Sequence, residues 1–429
     1  MPTADTRSPA ELAALPDEQL IDAVQRQTFR FFWEGAHPVS GLAPDRRTTR
    51  DEPVDDLVAI GGSGFGVMAI IVAVERGWVT RDEAVTRINN SLDVLCKASC
   101  YHGTFPHFMN GLSGATIPFG RKDDAGDLVE TALLMQGLLC ARQYFQQDTP
   151  GEASIRNRIT QLWEEVEWDW YTQGGRKLLY WHWSPFNGWA MDHEIHGWNE
   201  CLTTYLLAAS SPRYPVSAEV YHRGYAAGRD FINGKSYYGI ELPLGQPYGG
   251  PLFFAHYSFC SLDPHGLEDR YAKYWDLNVA HVKINHAHCV ANPKKFKGYS
   301  AECWGLTASD DFYGYGAHAP DNDNGTISPT AALSSLPYAP KEVMATLRHF
   351  LTEHGDKVWK RYGFVDAFSV QHNWAADTFL AIDQGPIVVM MENYRTGLMW
   401  KLFMSIPEIQ NGLRKLGFSS PYLDGKVPA

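Results

Sequence analysis

Separate blocks of apolar residues at i, i+3, i+4 spacing, divided by loops that are alternately short and long, leave this chain few architectures to choose from. Ten blocks are clear, over roughly 17–34, 61–76, 81–98, 127–146, 152–166, 197–210, 217–232, 267–285, 340–354 and 386–404. Weaker ones lie near 328–335 and 374–381, and convincing strand alternation is scarce. Helix pairs joined in this way suit a closed double ring of helices, in which the long loops gather at one mouth. The reading is an all-α fold, an (α/α)6 toroid or barrel, with a helical solenoid as the rival. No linker-like change of composition and no short repeat interrupts it. The expected organisation is an N-terminal extension at 1–16 and one catalytic domain over 17–429.

The loops at 35–60, 101–126, 168–196, 233–266 and 286–327 are long, and they are rich in Gly, Pro and aromatic residues. Long loops without periodicity of their own tend to carry function. The chain holds 14 Trp, 21 Tyr and 21 Phe, many beside Gly, Pro, Asn or Asp rather than inside apolar runs. Flat apolar faces with polar tips suit the C–H faces of sugars, although a single ring more often fills a core. A net charge of −12 argues against nucleic acid and against an anionic membrane surface, and favours a neutral partner.

The seven Cys (Cys96, Cys100, Cys140, Cys201, Cys260, Cys289, Cys303) form no CxxC pair and suggest neither a disulfide framework nor a zinc site. No stretch is long and apolar enough to span a membrane, and the first residues lack the apolar centre of a signal peptide. The expected compartment is the cytoplasm, or the periplasm if a leader has been trimmed. Neither a cofactor nor a metal is expected, and the working unit is taken as a monomer.

Two segments carry the chemistry. In the first, Asp123, Asp127 and Glu130 stand at i, i+4 and i+7 where a Gly/Pro-rich loop enters a strong helix. At roughly 100° per residue they fall within about 60° of one another, if helical geometry begins that early. Like charges on one stripe raise a pKa, which suits general acid or base work. Capping is the plainer reading, since Asp127 and Glu130 have the spacing of a capping-box variant. In the second segment, Trp181, Trp183 and Trp189 precede a helix expected to begin near Gly197, with Asn199 and Glu200 in its first turn. A carboxyl among indoles is desolvated and favours its protonated form, as a general acid toward a glycosidic oxygen requires. A capping or solvated acid is the alternative.

Other loops offer lining residues: His107 in YHGTFPHFMNG, and Glu302, Trp304 and Asp310 in AECWGLTASD. Gln384 precedes a helix taken to start at Pro386; Tyr394 and Arg395 lie in it, with Glu392 and Arg395 spaced to pair.

The segments GDLVETALLMQGLL, GWNECLTTYLLAASS, ECWGLTASD, GTISPTAALSSLPYAP and DQGPIVVMMENYRTGLMW together resemble the glucoamylase-like domain of glycoside hydrolase family 144. The resemblance runs from about residue 20 to 405. It implies a bacterial β-1,2-glucanase with an (α/α)6 fold that hydrolyses β-1,2-glucan with inversion, releasing sophorose or short sophorooligosaccharides. Glu200 matches the family's general acid, and Asp123, Asp127 and Glu130 match the facing cluster where the base is sought. Two departures stand out: the doubled Asp123–Asp124, and the wording SDDFYGYGAHAPDND, which leaves endo and exo action open. A transglycosylase, a hydrolase of another β-glucan linkage and a non-catalytic glycan-binding protein are the competing readings.

Overall fold

The computed structural model describes residues 5–425, and thirteen α-helices dominate it. They are α1 (Pro9–Ala13), α2 (Asp17–Trp33), α3 (Ile60–Glu75), α4 (Arg81–Leu95), α5 (Leu128–Tyr144), α6 (Pro150–Glu165) and α7 (Leu202–Ser210). After them come α8 (Tyr274–Ala291), α9 (Pro329–Leu333), α10 (Pro340–Val358), α11 (Ala381–Thr396), α12 (Leu398–Met404) and α13 (Pro407–Leu416). Strands are short and antiparallel, in two-stranded ribbons and one three-stranded sheet, and confined to the connections. Among the described residues no helix is long and apolar enough to cross a membrane.

Sequence sorts the helices into two kinds. The apolar residues of α3, α5, α7 and α11 run around the whole circumference, and nearly every residue of these helices is buried. Helices α2, α4, α6, α10 and α13 are apolar on one face only and bury that face. The all-buried helices pack on one another, α3 between α5 and α11, and α5 against α7. One-sided helices cover them from outside, α2 on α11 and α13 on α7.

Glycine sets the closest of these approaches. A Cβ at Gly64 of α3 would stand 2.1 Å from the Leu133 carbonyl oxygen, and one at Gly137 of α5 would stand 2.1 Å from that of Gly64. Backbone faces backbone here, so no side chain can turn aside. Gly137→Ala is therefore expected to lower stability by at least about 1–3 kcal/mol, the usual cost of overpacking. The midpoint of urea unfolding checks it, and an unchanged midpoint would contradict the close packing.

Several boundaries differ from the periodicity. Gly197 takes a left-handed φ of 78°, and the Asn199 side chain accepts from the Cys201 amide, so the helix expected from 197 begins at Leu202. The 217–232 block yields only a short π-helical run, Val220–Tyr225, because Gly224 and Gly228 abut other segments too closely to carry a side chain. The 267–285 block moves C-terminally to α8. Near 374–381 the chain forms two strands, Trp374–Ala375 and Thr378–Leu380, before α11. Helix α11 starts before Pro386 and holds it inside, and Gly397 (φ 66°) separates it from α12. The segment read as an extension carries α1, which docks on α10. All seven cysteines are free.

Candidate active site

Three of the buried helices begin directly after a short strand: α3 after Leu57–Ala59, α5 after Gly126–Asp127 and α11 after Thr378–Leu380. Their first turns, with that of α7, come together. The Glu130 carboxylate on α5 accepts the Gly61 amide of α3 at 2.6 Å, and the Ala381 amide of α11 bonds the Asp45 carbonyl at 2.9 Å. The Asp45 charge acts on both Glu130 and Asp383. Helix N-termini carry positive dipole ends and unpaired amides, so acidic side chains collect there for physical reasons before any chemistry is considered.

Asp127 is the N-cap of α5. Its Oδ1 accepts from the amides of Val129 and Glu130 at 3.0 and 2.9 Å, and its Oδ2 lies 3.1 Å from Nδ1 of His107. Burial opposes its charge, but His107, His182 and the Glu130 amide hold its pKa below the usual range. The carboxylate is ionised, and both of its oxygens are engaged. The capping-box variant does not form, because Glu130 turns to Gly61 rather than back to the cap. Asp123 precedes the helix, so the expected stripe is broken at its first member. It still joins the cluster through the ribbon that pairs Gly126–Asp127 with His182–Trp183, with its Oδ1 3.3 Å from Nδ1 of His182.

Electrostatics then differentiates the cluster. Burial opposes charge on His107, yet Glu130, Asp127 and Asp123 together raise its pKa to about 10. His182 is raised likewise, by Asp123 and Asp127 against burial. Each aspartate thus faces a ring whose pKa is raised, Asp127 facing His107 and Asp123 facing His182. Glu130 behaves differently: burial, with the charge of Asp127, lifts it to about 7 against the pull of His107 and the Gly61 amide.

Glu200 sits two residues before α7, on a segment fixed by its neighbours. Ser258 Oγ donates to the Glu200 carbonyl at 2.5 Å, and Tyr225 Oη donates to the Asn199 carbonyl at 2.9 Å. The residue is partly exposed, while its carboxyl is closely enclosed. Burial raises its pKa to about 7, with the charges of Glu130 and Asp127 adding to the effect. Glu200 and the 123–130 acids are therefore near enough to perturb one another.

The aromatic residues divide between two places. Trp181 stacks on His193 (centroids 4.7 Å apart), and His193 feels the charges of His182, Asp127 and Asp123. Trp183 lies next to His182 on the ribbon and points the opposite way, edge-on to Trp170 and His102, and Trp189 packs in the same outer cluster. Trp198, beside Glu200, is a core residue.

Of the remaining candidates, Asp310 accepts from Thr378 Oγ1 at 2.5 Å and lies 3.4 Å from Arg46. It belongs to a second set of acids, with Asp366 and Asp383, whose convergence sequence reasoning missed. Burial and the Asp310 charge push Asp366 up to about 7, and burial with Asp366 raises Asp383 further. Tyr315, an exposed residue, feels the charges of both acids, and Tyr257 feels Asp383, Asp366 and Glu200 together. A lone Asp after YGFV and another in a helix start carry no periodic signal, so only the fold reveals their convergence.

Five calls fall away from these acids. Trp304 is fully buried, and Gln384, also buried, donates to the Phe364 carbonyl at 2.8 Å. Glu302 turns outward to His349. Tyr394 and Arg395 sit at the far end of α11, about 20 Å from its start at 1.5 Å per residue. There Arg395 meets Glu18 and Asp22, while Glu392 pairs with Arg76 instead of Arg395.

The Glycoamylase family model, described as "Putative glucoamylase", matches residues 192–407, half of the chain. An exo β-1,2-glucooligosaccharide sophorohydrolase (non-reducing end) of Parabacteroides distasonis is 46% identical over 423 residues, 94% of this chain and 58% of that protein. The chain thus spans 58% of that curated relative's length. Among solved structures, an endo-β-1,2-glucanase from Chitinophaga pinensis, in a sophorotriose and glucose complex, is 50% identical with a TM-score of 0.92. The match covers 95% of this chain and all of that one. A Bacteroides uniformis structure with the same family description is 56% identical, with a TM-score of 0.93 over 95% of this chain and 99% of the other.

Proposed function

The chain belongs to the Glycoamylase family and to glycoside hydrolase family 144, and on that premise we propose that it hydrolyses β-1,2-glucan to sophorose or short sophorooligosaccharides, with inversion. The architecture we take for it is an (α/α)6 toroid acting as one catalytic unit over 17–429, with 1–16 as an extension. The observation that carries the mechanism is the pair Glu130 and Glu200, both held near 7, with Glu200 in the field of Glu130 and Asp127.

Two carboxyls of matched pKa that repel one another share one proton around neutrality. Glu200 keeps it and serves as general acid, protonating the glycosidic oxygen as the bond breaks. Glu130 serves as general base: the Gly61 amide holds its Oε2, which leaves Oε1 to draw a proton from the attacking water. Asp127 is engaged by the Val129 and Glu130 amides and by His107, and its part is to hold His107 and the start of α5. Asp123 with His182 orients the substrate on the same wall. Trp181, His107, Asn199 and Asp310 line the sugar path in this reading.

The test is incubation with linear β-1,2-glucan, followed by chromatography and NMR of the newly formed anomeric centre. Inversion predicts the α-anomer first. Longer or cyclic products would replace hydrolysis with transfer, and binding without new reducing ends would leave a glycan-binding protein.

The pair also predicts a narrow bell in kcat/KM against pH. Its acid limb is set by Glu130 losing its proton and its alkaline limb by Glu200 losing its own. Glu130→Gln removes a like charge, so the residual alkaline limb should move to lower pH. An unmoved limb would separate Glu130 from Glu200.

A further inference from the structure

Away from these acids, three metal-ligating side chains distant in sequence converge on one point. Cys303, in the loop after α8, meets His349 and His354 of α10, and their ligand atoms all lie within 4.8 Å of one another. Cys303 is fully buried and the two histidines are half-buried, so the cluster is open on the imidazole side. The rings stand edge to face (centroids 5.3 Å apart, planes at 78°) and do not stack on each other. Glu302 brings a carboxylate oxygen to 3.7 Å from Nδ1 of His349 and is otherwise exposed. Besides the helix's own bonds, the hydrogen bond made to His349 falls on its carbonyl, from Thr352 Oγ1, which leaves the ring nitrogens free for other work.

We propose that Cys303, His349 and His354 form a binding site for a thiolate- and imidazole-preferring divalent transition metal, Zn²⁺ in the first instance, with Glu302 or water as fourth ligand. One sulfur with two imidazole nitrogens is a donor set that zinc takes in tetrahedral geometry, and hard cations such as Mg²⁺ and Ca²⁺ do not favour it. Bonds of about 2.0–2.3 Å require ligand atoms roughly 3.3–3.7 Å apart, so small rotations about the side-chain bonds close the site. On binding, the Cys303 S–H bond breaks, its proton leaves to solvent, and an Sγ–metal bond forms. Burial pushes the empty thiol up to about 12, so the metal itself must displace that proton. Burial and the neighbouring His349 push His354 down, keeping its lone pair available. The bound ion would tie the 292–307 loop to α10. Sequence alone gives no hint of it, because Cys303 is 46 residues from His349 (349 − 303) and lacks a second cysteine nearby.

The full chain, stripped with a chelator, is titrated with Co²⁺ as the spectroscopic probe. The expected result is a thiolate-to-cobalt charge-transfer band in the near ultraviolet with a one-to-one end point, abolished by equimolar Zn²⁺. Cys303→Ser should remove the band, and the double change His349→Asn with His354→Asn should weaken binding at least tenfold. The histidine pair decides the matter if Cys303→Ser does not fold, since it alters partly exposed side chains and folding is checked by circular dichroism. His107, Asp123 and Asp127 also cluster, but without sulfur they produce no such band. A wild-type chain with no band, a band that grows only at millimolar cobalt without an end point, or one unchanged in the histidine variant would overturn the proposal.

Discussion

Glu200→Gln is expected to lower kcat on linear β-1,2-glucan by about 10²–10⁴-fold, the usual share of a general acid, while sugar binding stays measurable. Glutamine keeps the shape of the side chain and removes only the proton that the leaving oxygen needs. The companion measurement uses β-sophorosyl fluoride, whose leaving group departs without protonation. Glu200→Gln should retain much of the wild-type rate on that substrate, and Glu130→Gln should lose activity on both. A Glu200→Gln enzyme that still cleaves the glucan would remove this residue from the mechanism.

The same substitution has a thermodynamic signature. The folded pKa of Glu200, about 7, lies above the ordinary 4.5 of a free glutamate, so between those values the folded state binds more protons than the unfolded state. Stability therefore falls as pH rises through that window. At 1.36 kcal/mol per unit the charged form costs at most about 3 kcal/mol, and less because solvent reaches the residue. Glu200→Gln should accordingly gain melting temperature over the wild type at pH 8 and show little gain near pH 4.

Asp127→Ala should be the most destabilising change at the site, by about 3–5 kcal/mol. It uncaps α5 and leaves the raised His107 buried without its counter-ion. Asp127→Asn keeps an oxygen for the two amides and should cost distinctly less, while His107 titrates at lower pH. Denaturant midpoints for both variants, with an NMR titration of His107, check the ordering. Equal losses in Ala and Asn would mean that the charge on Asp127 is immaterial.

The helices were legible because burial leaves a 3.6-residue mark: α2, α3, α4 and α5 fall within a few residues of their periodic blocks. Boundaries failed where tertiary contacts override propensity, as at Gly197 and in the strands at 374–380. In the site, Asp127 and Glu130 stood out because acid density at a helix start is visible in a string of residues. Glu200 stood out for a reason the structure revises: its pKa is raised by burial and by opposing carboxylates, while Trp183, Trp189 and Trp198 pack elsewhere. Asp366 and Asp383 were invisible, being isolated acids that meet only because two connections close on the start of α11. Tyr394 and Arg395 misled because a helix that contributes its first turn to the cleft carries its last turn well away from it.

The tight glycine seam between α3 and α5 bears on how such a molecule can diversify. Glu130 reaches the Gly61 amide only because the two helices lie almost in backbone contact, so any drift of that wall would shift the carboxylate proposed as the base. Exposed loop tips such as those at Gly188, Gly239 and Gly314 answer to no such restraint. Lengthening or trimming them can reshape which glucan ends are admitted, and the bond-breaking apparatus beneath would stay fixed.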